Sequence, residues 1–118
     1  MRGLDPRIHD FLAFNINSGD HTSMKGGWVY IITNKPEGTL YVGVTSDLAR
    51  RAWEHREGTV EGFSKKHDLK RLVWAEHHDT IEAAMQREKN IKHWRRGWKI
   101  RLVQENNSGW DDLYDQLI

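Results

Sequence analysis

The sequence predicts an α+β domain: a small three-stranded sheet, made of a β-hairpin plus one strand and covered by helices, in the order ββαβα(α). Three observations carry this. Two short runs rich in Val, Ile, Thr, Tyr and Trp flank a Pro-Glu-Gly turn. A third such run, "LKRLVWAEHH", follows a glycine-containing loop. The stretches after the hairpin and after the third run have helical spacing and open on capping residues. A chain of 118 residues supports one domain.

Along the chain, residues 1–26 lack either periodicity and read as a flexible extension, with Met24 an alternative start. Trp28 to Asn34 and Leu40 to Thr45 form the hairpin, with Pro36 presetting the turn and Gly38 expected to supply the positive φ. Leu40, Val42 and Val44 alternate with Tyr41, Gly43 and Thr45, so Tyr41 shares a face with a glycine. Tyr30 then lies opposite or diagonal to Tyr41 on that face. Ser46 or Asp47 caps a helix to about Glu57, with Leu48, Arg51, Ala52 and His55 on one stripe. "EGTVEGFSKKHD" reads as a loop bearing Lys65, Lys66 and His67. Thr80 caps a long helix that Gly97 is expected to end or bend, and "WKIRLVQE" reads as a short helix. In the tail, Trp110, Leu113 and Tyr114 are packing residues.

Composition excludes several classes. There are no cysteines, hence no disulfide, thiolate nucleophile or Cys-ligated zinc. No apolar run approaches the ~20 residues of a membrane span, and no secretory signal is evident, so a cytoplasmic location with no membrane partner is expected. No feature implies a protein partner. The net charge of +1 hides an uneven distribution. Between Gln86 and Arg101, Arg87, Lys89, Lys92, Arg95, Arg96, Lys99 and Arg101 face a single acid, Glu88; beyond Gln104 there are only acids. That is either a polyanion-binding face or a solvated helix face. His77 and His78, adjacent on a strand, point to opposite faces and chelate poorly.

The ordered set of Trp28-Val29-Tyr30, Tyr41-Val42-Gly43, Arg51-x-x-x-His55 and Glu88 resembles the GIY-YIG nuclease superfamily over roughly residues 27 to 112. Residues 113–118 are left as a C-terminal tail. The first glycine of the family motif is replaced by Trp28. The resemblance implies Tyr30, Tyr41, Arg51, His55 and Glu88 as catalytic residues, with Glu88 the metal ligand. It also implies substrate contacts by Gly43, Arg51, Lys65, Lys66, His67 and Asn107. Each residue also has a plainer reading: packing tyrosines, surface Arg and His, and an i, i+4 ion pair between Glu88 and Lys92.

The implied chemistry suits these residue types. A hard ion, Mg2+ or Mn2+, takes oxygen ligands and often only one or two carboxylates. Arg51 offers a planar fork to a phosphate, and His55 lies on the same helix face. A tyrosine needs nearby cations before it can act as a base, and Tyr41 leads for that role, with Tyr30 and His55 open alternatives. The expected function is a metal-dependent endonuclease on nucleic acid, DNA foremost, whether single-stranded, branched or damaged. The alternative is a catalytically inactive nucleic-acid-binding module of the same fold.

Overall fold

The computed structural model describes residues 26–60 and 62–117. Apart from Gly26, the extension expected over residues 1–26, with its alternative start at Met24, lies outside the described residues.

β1 (Gly27–Thr33) and β2 (Leu40–Thr45) form the hairpin, and β3 (Arg71–His78) pairs with the other edge of β1. The sheet is antiparallel throughout, in the order β2-β1-β3. In the turn the left-handed residue is Glu37, at φ 55°, and not Gly38 as the sequence predicts. Gly38 is needed for space instead, because a Cβ there would collide with Asn34 Oδ1, which accepts from the Thr39 amide at 3.0 Å. Arg96 locks the turn from outside by donating to the carbonyls of Glu37 and Gly38.

α1 (Leu48–Glu57) is capped by Asp47, whose carboxylate accepts from the Arg50 amide at 3.2 Å, satisfying a first-turn donor. The segment read as a loop contains a single helical turn, α2 (Phe63–Lys66). Thr80 caps α3 (Ile81–Lys92), accepting from the Ala83 amide at 3.0 Å. α3 closes at His93 rather than at Gly97, which lies in the first turn of α4 (Arg96–Asn106). Arg95 is extended between the two helices, so the break precedes the glycine.

All seven residues of β1 are buried, because both faces of the sheet are covered. Trp28, Tyr30 and Ile32 pack with Leu48 and Ala52 of α1 and with Leu113 and Leu117 of a C-terminal 3-10 helix (Leu113–Leu117). Val29 and Ile31 face the other way, against Ala84 and Ile91 of α3 and Val103 of α4. A register shift between Ile31 and Ile32 lets Val73 and Trp74 both join the second face. Leu113 and Leu117, at 1% and 4% exposure, are core residues and not a tail beyond the domain. Burying side chains of this size contributes about 1.5–3 kcal/mol each.

Candidate active site

Cross-strand register builds the centre of the site. Tyr30 pairs with Gly43 and Ile32 with Tyr41, so the two tyrosines are diagonal neighbours on the α1 face, with ring centroids 6.4 Å apart. The Tyr30 ring lies across Gly43: a Cβ at 43 would overlap Tyr30 Cζ and Oη. Gly43 therefore makes room for the Tyr30 phenol. α1 brings His55 onto both tyrosines, its ring centroid 5.6 Å from Tyr30 and 6.0 Å from Tyr41. Tyr30 Oη and His55 Nε2 are hydrogen-bonded at 2.9 Å, and both residues are buried. Arg51, one turn earlier, lies close enough to act electrostatically on both Tyr30 and His55. Tyr41 is the half-buried, accessible phenol of the pair.

The electrostatics follow from this packing. Burial, then the neighbouring Tyr41, push the Tyr30 phenol well above its ordinary range; Arg51 opposes this and Glu88 adds to it. Tyr30 thus keeps its proton. Burial and the Arg51 cation push His55 down to about 4, against the pull of Glu54, so the imidazole is neutral near pH 7. His55 Nδ1 has no hydrogen-bond partner among the described residues.

Glu88 reaches this cluster from α3, which packs on β1 and β2. Its side chain is 13% exposed and its carboxylate bonds Lys92 Nζ at 2.6 Å, the i, i+4 pair that the sequence offers as the plain reading. Lys92 Nζ in turn lies 5.8 Å from the Tyr41 ring centroid. Among the described residues no three His, Asp or Glu side chains converge on one point. One sheltered carboxylate beside an exposed lysine fits a hydrated hard ion that keeps most of its waters, and does not fit a closed zinc-type site.

The structure thus brings Tyr30, Tyr41, Arg51, His55 and Glu88 together. Lys65 and Lys66 on α2, and His67 just after it, are exposed, and α2 is joined to the site through Phe63. That ring stacks on Tyr41 at 6.3 Å and meets His67 at 4.3 Å. Asn107 is a correction: it is 1% exposed, and its amide is consumed by backbone groups. Nδ2 donates to the carbonyls of Val73 (3.2 Å) and Asp111 (2.8 Å), and Oδ1 accepts from the Asp111 amide (3.0 Å), so none of it is left for substrate. Trp28, in the place of a glycine, fills the strand end edge-on to His77 at 5.0 Å.

Sequence reasoning missed two residues. Glu54 ties down Arg51 (3.1 Å) and Arg50 (3.3 Å), a pattern visible as Arg-Arg-x-x-Glu at i, i+3 and i, i+4. Phe63, 47% exposed beside Tyr41, gives no sequence signal.

This chain belongs to the GIY-YIG family, whose catalytic-domain model matches residues 26–101; that family is one of nucleases acting on nucleic acid. Within it the chain is similar to UPF0213 proteins. It is 40% identical over 76 residues to one from Natronomonas pharaonis, covering 64% of this chain and 88% of that protein. It is 33% identical over 82 residues to one from Staphylococcus aureus, covering 70% and 99%. The solution NMR structure of a UPF0213 protein from Bacillus halodurans matches with 29% identity and a TM-score of 0.47, covering 73% of this chain and 90% of that one. Among the described residues no helix is long and apolar enough to cross a membrane.

Proposed function

We propose that this protein is a divalent-metal-dependent endonuclease that hydrolyses phosphodiester bonds in DNA. The observation that supports this most is the Tyr30–His55 hydrogen bond at 2.9 Å, buried directly beneath the accessible Tyr41 and flanked by Arg51 and Glu88. A packing role alone explains a buried tyrosine. It does not explain a phenol, an imidazole, a guanidinium and a carboxylate brought within electrostatic reach of one another, with the phenol and the imidazole both buried.

In this reading the roles divide by exposure. Tyr30 stays protonated and His55 neutral, and the hydrogen bond between Oη and Nε2 holds the two rings together. That pair is a fixed platform that orients Tyr41 and can pass a proton inward. Tyr41 orients, or takes the proton from, the attacking water. Arg51, held by Glu54, presents its remaining donors to the phosphate as negative charge develops. Glu88 would hold Mg2+ or Mn2+, which when bound supplies charge neutralisation and stabilises the leaving oxygen. Lys92 moves off the carboxylate or stays as a second cation beside it.

The test is incubation of wild type with end-labelled single-stranded, duplex and branched DNA in Mg2+, Mn2+ or EDTA. Cleavage of at least one substrate that EDTA abolishes is expected. Binding without cleavage of any of them would contradict the enzyme reading and favour a non-catalytic module.

A further inference from the structure

The six tryptophans divide sharply by environment. Trp28, Trp74 and Trp110 are core residues at 7%, 2% and 3% exposure. Trp53 is 49% exposed, and Trp98, at 57%, is the most exposed large apolar side chain among the described residues. It meets the half-buried Trp94 edge to face, centroids 6.1 Å apart at 76°. Together with Arg101, Leu102 and Glu105 they line a cleft of about 180 Å3 on α4. The Trp94 wall is held in place: the Arg87 guanidinium lies 5.4 Å from its ring centroid, and Glu76 fixes Arg87 at 2.9 Å. Trp98 forfeits the stabilisation that burial of an indole would give, and packing does not account for it.

The surroundings say what the cleft takes. Arg101 lines it, Lys99 follows Trp98 on α4, and Glu105 is the single acid of that helix. Positive charge continues from there toward the catalytic cluster, because Lys99 lies within electrostatic reach of both Arg96 and Lys92. An apolar side chain of a protein partner would fill the cleft but leave these cations uncompensated. A planar ring attached to a polyanion satisfies both features. The Glu105 carboxylate disfavours a phosphate inside the cleft, which leaves ring stacking as the mode of entry.

We propose that the Trp94–Trp98 cleft is a nucleobase site, in which an unstacked base of single-stranded nucleic acid lies on Trp98 while Lys99 and Arg101 meet the flanking phosphates. Burial, then Arg96 and Lys92, hold the Lys99 ammonium below its ordinary range, and an added phosphate would relieve that crowding. A base paired in a duplex is stacked on both sides and cannot enter, so the site selects unpaired strands. This deepens the nuclease reading by naming the substrate feature held outside the catalytic cluster.

The test uses binding, so it does not depend on cleavage. Fluorescence anisotropy in EDTA compares a labelled oligothymidylate with an abasic oligonucleotide of the same length, which keeps the phosphates and lacks the rings. Wild type should prefer the base-bearing strand by about tenfold, the equivalent of one stacked base. Trp98→Ala should reduce that preference to about onefold while leaving abasic affinity within about twofold, and Trp98→Phe should restore most of it. Equal affinity of wild type for the two strands, or an undiminished preference in Trp98→Ala, would overturn the proposal. The preference persisting in a protein that cleaves nothing would uphold this site and reject the nuclease reading.

Discussion

The buried His55 makes a prediction about stability that can be worked through. Its pKa is about 4 in the folded protein against an ordinary 6.5. Between these values the unfolded chain binds a proton that the folded chain excludes. Stability therefore falls as pH drops from about 6.5 to about 4, and His55 contributes no further loss below that. A shift of that size corresponds to about 3 kcal/mol, because His55 is only 3% exposed and solvent screening is slight. For a domain of this length that is a fall in Tm of about 10–25 °C. Other titrating groups contribute as well, so the measurement is a difference. Wild type and His55→Gln, whose amide can still bond Tyr30, are melted by circular dichroism from about pH 7 to about pH 4. The wild-type curve should fall more steeply than that of the variant by roughly 3 kcal/mol. Parallel curves, within about 0.5 kcal/mol across the range, would refute the argument that packing against Tyr30 and Arg51 keeps His55 neutral.

Gly43→Ala places a Cβ against the Tyr30 ring and should destabilise by about 1–3 kcal/mol in guanidinium melts, with loss of activity exceeding the loss of folded protein. Asn107→Ala strips hydrogen bonds from Val73 and Asp111 and should lower stability by about 2–3 kcal/mol while leaving KM for DNA unchanged; a stable variant with a raised KM would restore the substrate role. Arg96→Ala frees the hairpin turn, and hydrogen exchange should quicken around Glu37 and Gly38 with a stability cost of about 1–2 kcal/mol. DNA binding through Arg51, Lys65, Lys66 and the basic stretch from Arg87 to Arg101 should weaken linearly in log-log titrations against salt, and a flat titration would contradict phosphate contact.

Much of the fold was legible because local chemistry and tertiary structure agree. Alternation and a Pro-Glu-Gly turn mark the hairpin, and Asp47 and Thr80 mark two helix starts that the structure bears out. The misreadings arise where a distant group decides. Gly38 reads as the positive-φ residue from turn statistics, yet Asn34 claims the space a side chain would take, and the left-handed backbone falls on Glu37. Gly97 reads as a helix end, but the chain has already turned at Arg95. Phe63–Lys66 is too short a helix to show periodicity. At the candidate site the residue types were legible in order, while their division of labour was not. Only the register shows that Tyr30 is sunk over Gly43 and Tyr41 left at the surface. Asn107 was misread for the same reason: sequence order cannot distinguish an amide facing a cleft from one tying α4 to β3.

Glu88 carries the central claim, and one comparison tests it most directly. Single-turnover cleavage of a DNA substrate in Mg2+ is measured for wild type and Glu88→Gln, with affinity for the same DNA measured separately in EDTA. The account predicts a rate at least about 100-fold lower in the variant, with affinity unchanged or slightly tighter because a negative charge has been removed. A rate within about twofold of wild type, or a loss of cleavage matched by an equal loss of binding, would contradict it.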